Sequence, residues 1–189
     1  MYILGDIGNS ETKIYLVGSN NVIIKNISLP TNKINNKNLK LKFKSLTKSF
    51  FGIEKVLFCS VVPKSFKQIK KFLSNKTKKK CYEVKDLKLK SLIKINVIFK
   101  QVGSDRLTNA ISLSNNKDNF IILDLGTATT FDVIIKKTYK GGIIAPGIKI
   151  SLNTLSDKAT LIPQINLKKI KKVLGNDTVS AVRSGFFWG

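Results

Sequence analysis

Three aspartates stand at positions where a carboxylate could do chemistry. The chain has only 11 acidic residues, and Asp6, Asp105 and Asp124 lie in the segments GDIGNS, GSDR and DLGTATT, beside glycine and hydroxyl side chains. Carboxylates beside such turns suit a cation and a phosphate group. Because the chain contains no histidine, aspartate is the natural general base for phosphoryl transfer from a nucleotide.

Composition excludes several other kinds of site. Without histidine, catalysis by Ser/His or Cys/His pairs and zinc hydrolysis are ruled out. Neither a GxxxxGK[ST] loop nor a GxGxxG fingerprint is present. Cys59 and Cys81 lack metal-ligand spacing, so we expect reduced thiols that are buried or half-buried.

A repeated hairpin pattern predicts how the aspartates are positioned. The segment FIILDLGTATTFDVII, residues 120–135, is two apolar β-type runs around a polar centre at Asp124. Taken alone, an ordinary hairpin with a capping aspartate explains it equally well. The chain opens, however, on YILGDIGNS, which repeats the pattern around Asp6. Two similar lobes facing a shared cleft are therefore predicted.

Between the two hairpins the pattern is mixed α/β, with a sheet in each lobe. We expect the lysine-rich segment 76–94 to be solvated surface, and 141–147 to be a rigid glycine-bounded loop before a helix. The other expected elements are strands over Val22–Leu29, Glu54–Val62, Cys81–Val84 and Tyr139–Ile144, and helices over Leu39–Phe51, from Pro63, over Leu107–Leu113, over Ile148–Leu155 and after Asp177.

The GSDR segment has two readings. Ser104 or Asp105 could be only the N-cap of the helix that follows. Alternatively, Asp105 is a base and Arg106 clamps an anionic group. The sequence leaves both open.

The formal charge of +23 suggests nucleic acid as a partner. Only Arg106 and Arg183 are arginines, whereas lysine, asparagine and isoleucine abound. A+T-rich codons produce this composition without any ligand, and nucleic-acid surfaces usually also use arginine, so we do not favour a nucleic-acid partner.

No apolar run approaches the roughly 20 residues of a membrane span. The N-terminus has no secretory pattern, and a cytoplasmic location is expected.

Six motifs in order resemble the type III pantothenate kinases: DIGNSETK, GSDR, DLGTATTFDVI, GGIIAPGIKISLNTL, TLIP and TVSAVRSG. The resemblance runs from Asp6 to Gly185 and implies the acetate kinase, sugar kinase, heat-shock ATPase and actin superfamily. The implied fold is α/β, with duplicated actin-like (ribonuclease H-like) ATPase lobes whose mixed sheets are flanked by helices. The lobes would be 1–102 and 103–189, the second incomplete at its C-terminus.

The resemblance also implies the reaction, which is ATP-dependent phosphorylation of pantothenate to 4'-phosphopantothenate in coenzyme A synthesis. Asp105 would be the general base, and Asp124 would hold a monovalent cation, K⁺ or NH₄⁺. Mg²⁺ would accompany ATP, and the enzyme would be a homodimer. The ATP-binding residues would be Asp6, Ile7, Gly8, Asn9, Ser10, Glu11, Thr12, Lys13 and Thr127. The substrate-binding residues would be Gly103, Ser104, Asp105, Arg106, Thr178 and Phe99.

The chain departs from the family pattern before GSDR, where residues 96–102 contain no proline and Phe99 is the nearest aromatic residue. Ser10 also replaces the usual threonine but keeps the hydroxyl. Two alternatives remain: a kinase of the same superfamily for another small hydroxy acid, and a non-catalytic regulatory or nucleic-acid-binding relative. The three aspartates favour the kinase.

Overall fold

The structure is a computed structural model that describes residues 1–114 and 118–189, excluding the side chains of residues 47–49. It contains nine strands and five α-helices within these ranges. The strands are β1 (Tyr2–Ile7), β2 (Glu11–Val17), β3 (Ile23–Pro30), β4 (Lys55–Ser60), β5 (Cys81–Glu83), β6 (Lys94–Ile95), β7 (Phe120–Leu125), β8 (Ala128–Ile135) and β9 (Thr138–Pro146). The helices are α1 (Asn36–Phe43), α2 (Pro63–Thr77), α3 (Ser104–Ser112), α4 (Ile148–Lys158) and α5 (Thr178–Trp188). None of these helices has both the length and the apolar character needed to cross a membrane.

The first sheet has the strand order β3-β2-β1-β4-β5. Its central strand, β1, pairs antiparallel with β2 and parallel with β4. Side chains alternate across a strand, so Ile3 and Ile7 of β1 are buried, whereas Leu4 is exposed and Asp6 half-buried. The buried face packs with Phe43 of α1 and Ile69 of α2 in one apolar cluster. This leaves Asp6 on the other face of the sheet.

A close approach between β1 and β4 explains the glycine inside β1. Gly5 is the register partner of Phe58, which is fully buried. A Cβ at Gly5 would overlap the Phe58 ring. The aromatic ring therefore fills the space that a side chain on β1 would need.

The second sheet has the order β6-β9-β8-β7, so β7, β8 and β9 repeat the meander of β1, β2 and β3. In both meanders the aspartate is the last residue but one of a six-residue first strand. These sheets, with their helices and the fold likeness described below, confirm the predicted fold class.

Packing contacts divide the chain into two units whose boundaries differ from the predicted lobe boundary between residues 102 and 103. A first unit comprises Met1–Phe120 and Val133–Gly141, and a second unit comprises Ile121–Asp132 and Gly142–Gly189. These are units of packing, and the lobe boundary at 102/103 stays a prediction. In the second unit, alternate residues of β7 are exposed although they are apolar: Ile121, Leu123 and Leu125.

Three expectations for individual segments are wrong. The helix expected over Leu39–Phe51 ends at Phe43 and continues as a 3-10 helix over Lys44–Gly52, where Ser, Thr and Phe are poor α-helix formers. The segment 76–94 is not simply solvated surface, because Val84, Leu89 and Ile93 are buried between its lysines. Residues 141–146 are not a loop but the end of β9, as their β-branched isoleucines favour.

The Gly5–Phe58 contact predicts a stability effect. We expect Gly5→Ala to lower the free energy of unfolding by about 1–3 kcal/mol, because the added methyl overpacks a buried ring. Urea unfolding followed by circular dichroism measures this. Gly185→Ala is the matched control, since a Cβ there meets nothing within 4 Å and alanine favours a helix. Equal stability of Gly5→Ala and the parent chain would contradict the contact.

Candidate active site

The β1–β2 turn places a carboxylate and an ammonium on one face of the first sheet. Asp6 is the register partner of Lys13 across the antiparallel pair, and directly opposed side chains share a face. Lys13 Nζ lies 3.6 Å from Glu11 Oε2, and the Ser28 hydroxyl donates to the Glu11 carboxylate. The backbone N–H of Gly8 donates to the Glu11 carbonyl at 3.0 Å. The predicted phosphate loop, residues 6–13, is therefore a tight hairpin with charged residues on both strands.

Sequence reasoning missed Thr31, which holds this hairpin from the end of β3. Its hydroxyl donates to the Gly8 carbonyl at 2.7 Å, and its backbone N–H donates to the Ser10 carbonyl at 3.0 Å. Its hydroxyl also lies 2.9 Å from that of buried Thr12. The available signal was a hydroxyl residue directly after the proline that ends β3.

A buried thiol connects two of the three predicted aspartates. Cys59 pairs in register with Asp6 across the parallel β1–β4 pair, and its Sγ donates to Asp6 Oδ1 at 3.2 Å. Burial raises the pKa of Cys59, and the negative charges of Asp6 and Asp105 raise it further; a hydrogen bond with Thr108 acts in the opposite direction. The charges at Asp6 and Asp105 therefore both act on this one sulfur atom.

The start of α3 shapes the surroundings of Asp105. The N-cap is Gly103, with no side-chain cap, so the N-cap reading of Ser104 or Asp105 is wrong. Ser104 is instead buried in the first turn, and Asp105 Oδ1 accepts from the Arg106 backbone N–H at 2.8 Å. A Cβ at Gly103 would overlap Asp105 Oδ1 and lie 3.7 Å from Val61 Cγ1. Glycine at 103 leaves the space that the Asp105 carboxylate occupies.

Phe99, a predicted substrate-binding residue, lies in a 3-10 turn that Lys85 contacts. The Lys85 ammonium lies 5.4 Å from the centre of the Phe99 ring, which is a cation–π distance. It also donates to the carbonyls of Val102 at 2.8 Å and Lys100 at 3.2 Å. Lys85 thus takes part in fixing the segment before Gly103 in which the family pattern is not matched.

The second unit holds the remaining predicted site residues. Asp124 is half-buried near the end of β7, and Thr127 is exposed in the two-residue turn to β8. The backbone N–H of Gly147, the N-cap of α4, donates to the Thr127 carbonyl at 3.0 Å. A Cβ at Gly147 would overlap the carbonyl of Gly126, so α4 begins directly against this turn.

Thr178 is exposed at the first position of α5. The expected cap at Asp177 is confirmed: its carboxylate accepts from the Ser180 N–H at 2.9 Å, and Ser180 completes a capping box. Asp6, bonded to Cys59, and Asp105, at the start of α3 beside Val61, both belong to the first unit. Asp124, Thr127 and Thr178 belong to the second unit.

Solved structures define the class of fold. A Campylobacter jejuni protein assigned to the Baf family of transcriptional activators matches with a TM-score of 0.51 at 22% identity, covering 97% of this chain and 72% of that one. A Sinorhizobium meliloti protein described as a 2-dehydro-3-deoxygalactonokinase matches with a TM-score of 0.52 at 8% identity, covering 85% and 59%. Likeness at these identities shows a shared fold.

Sequence comparison defines the family. The model of the type III pantothenate kinase family matches residues 2–189. The type III pantothenate kinase of Pelagibacter ubique is 61% identical over 189 residues, which are 100% of this chain and 76% of the relative. That of Caulobacter vibrioides is 34% identical over 149 residues, covering 74% of this chain and 55% of the relative. The chain belongs to the type III pantothenate kinase family, whose members phosphorylate pantothenate in coenzyme A synthesis.

The buried thiols predict a pH dependence of stability. Burial raises the pKa of Cys81 to about 12, against about 8.5 for a free thiol. Above about pH 8.5 the unfolded chain therefore binds fewer protons than the folded one. The free energy of unfolding should then fall with rising pH, by about 1.4 kcal/mol per pH unit for each such thiol.

The contribution of Cys81 is isolated by comparing the parent chain with Cys81→Ala. The two proteins share every other ionisable group, so the difference between the two slopes reports the thiol. Chemical denaturation from about pH 8 to about pH 10 should give a shallower fall for the variant. Identical slopes would mean that the Cys81 thiol ionises as readily in the folded chain as in the unfolded one.

Proposed function

We propose that this chain transfers the γ-phosphoryl group of ATP to the hydroxyl of pantothenate with Asp105 as general base. The observation that carries this proposal is that Asp6, bonded to Cys59 near the end of β4, and Asp105, at the start of α3 beside Val61, lie where β1 and β4 end and α3 begins. Phosphoryl transfer requires positioned charges and one group that removes the proton of the attacking hydroxyl. With no histidine in the chain, a carboxylate takes that role.

Arg106 and the residues around it suit a substrate with a hydroxyl and a carboxylate. Adjacent in sequence to the proposed base, Arg106 offers a guanidinium group whose forked donors match a carboxylate. Gly103, Ser104, Phe99 and Thr178 complete the proposed substrate contacts. The adjacent Asp105 and Arg106 favour a substrate with both a hydroxyl and a carboxylate, as pantothenate has, over a neutral sugar.

The proposed ATP contacts are the β1–β2 hairpin, residues 6–13, together with Thr127. Phosphate oxygens are bound by backbone N–H groups, hydroxyl groups and ammonium groups. The hairpin supplies all three kinds, with Gly8 adding no side chain to cover the backbone of the turn and Lys13 providing the ammonium group. Mg²⁺ bound with ATP would neutralise charge on the phosphates. The protein groups themselves orient the nucleotide and hold the base beside the attacking hydroxyl.

Asp124 is proposed as the ligand of a monovalent cation, K⁺ or NH₄⁺. It lies two residues before the turn formed by residues 126–127, whose backbone carbonyls and threonine hydroxyl are oxygen donors, and oxygen donors of this kind can hold such cations. We also propose that the enzyme is a cytoplasmic homodimer. The exposed apolar residues of β7 support a further protein contact.

Replacing the proposed base tests the reaction directly. We expect Asp105→Asn to lower kcat by about 10²- to 10⁴-fold, because the amide cannot accept the proton, while ATP binding measured by calorimetry stays near the parent value. Asp86→Asn is the control, since Asp86 is an exposed aspartate of the same unit. Turnover retained in Asp105→Asn would remove Asp105 as the base.

The cation requirement gives a separate test. Exchange of K⁺ for Na⁺ should lower the rate of pantothenate phosphorylation sharply, because the smaller ion fits the oxygen ligands less well. Asp124→Asn should weaken the response to added K⁺. A parent enzyme indifferent to the cation would count against the Asp124 site. Salt-sensitive DNA binding without kinase activity would instead favour the regulatory alternative.

A further inference from the structure

The connection after β3 makes three hydrogen bonds with the β1–β2 hairpin through a single residue. The Thr31 hydroxyl donates to the Gly8 carbonyl at 2.7 Å, and its backbone N–H donates to the Ser10 carbonyl at 3.0 Å. The Thr31 and Thr12 hydroxyl oxygens lie 2.9 Å apart. Both threonines are buried, with 4% and 0% of their surfaces exposed. Water therefore does not readily replace these bonds.

These bonds constrain the orientation of the peptides in the turn. In a planar trans peptide the carbonyl and the following N–H point in opposite directions. With the Gly8 carbonyl directed at Thr31, the N–H of Asn9 lies on the far side of the turn. The Ser10 carbonyl likewise directs the N–H of Glu11 away from Thr31. Thr31 thus sets the direction of two backbone donors in the proposed phosphate loop.

We propose that Thr31 is a positioning residue for nucleotide binding. It holds the turn over residues 8–10 in the conformation whose backbone N–H groups face the phosphates of ATP. This inference rests on the proposed function of that hairpin. Thr31 acts through the turn, so its loss should weaken ATP binding while leaving the binding of the acceptor substrate unchanged.

A residue that only stabilises the fold would behave differently. Thr77 provides the matched comparison, because it is also a buried threonine whose hydroxyl donates to a backbone carbonyl, that of Leu73 at 2.8 Å. It lies at the end of α2, outside the proposed phosphate loop. Threonine-to-valine changes at the two positions remove the same group and keep the same side-chain shape.

The experiment compares Thr31→Val, Thr31→Ser and Thr77→Val with the parent chain. For Thr31→Val we expect the KM for ATP and the Kd for ATP measured by calorimetry to rise about tenfold, with the KM for pantothenate within about twofold of the parent value. Thr31→Ser keeps the hydroxyl and should restore ATP affinity. Thr77→Val should lower the melting temperature and leave ATP affinity unchanged.

Two outcomes would overturn the proposal: ATP affinity in Thr31→Val equal to that in Thr77→Val, or failure of Thr31→Ser to restore affinity. Calorimetry measures the Kd for ATP without turnover, so the role of Thr31 and the proposed reaction are tested separately. If the parent chain binds ATP but does not phosphorylate pantothenate, the proposed reaction fails while the role of Thr31 is still decided by the Kd values. If the parent chain binds no ATP, both proposals fall.

Discussion

Backbone pairing of β1 with β2 on one side and β4 on the other determines where the first carboxylate lies. The antiparallel register sets Asp6 opposite Lys13, and the parallel register sets it opposite Cys59. Phe58 fills the space beneath Gly5, so β1 and β4 pack closely. A shift of one residue would reverse the faces of the strand and turn Asp6 into the apolar core.

The negative charges of Asp6 and Asp105 both raise the pKa of the Cys59 thiol, which relates the position of Asp6 on β1 to that of the proposed base. Two carboxylates act on one buried thiol, and each is carried by a different kind of element: Asp6 by a strand, Asp105 by the first turn of a helix. Cys59 is buried and donates a hydrogen bond to Asp6. Asp105, the proposed base, is half-buried, and charges that are partly removed from water interact more strongly than exposed ones.

The sequence predicted features that depend on neighbouring residues. The two hairpins, the start of α2 at Pro63 and the Asp177 cap follow from local patterns, and the structure has all of them. Local sequence patterns could not reveal contacts between residues that are distant in the chain. The bond of Thr31 with Gly8 spans 23 residues, and that of Cys59 with Asp6 spans 53. The hydrogen bond from the Lys85 ammonium to the Val102 carbonyl likewise depends on tertiary packing, which the periodicity of apolar residues does not reveal.

Asp105 is proposed to take the proton from the substrate hydroxyl. A crystal structure of the chain with pantothenate and a non-hydrolysable ATP analogue would show whether it can. If Asp105 is the base, the hydroxyl which accepts the phosphoryl group lies within about 2.6–3.2 Å of the Asp105 carboxylate, with the pantothenate carboxylate on Arg106. A hydroxyl bound instead to Asp6 or Asp124, with Asp105 out of reach, would contradict it.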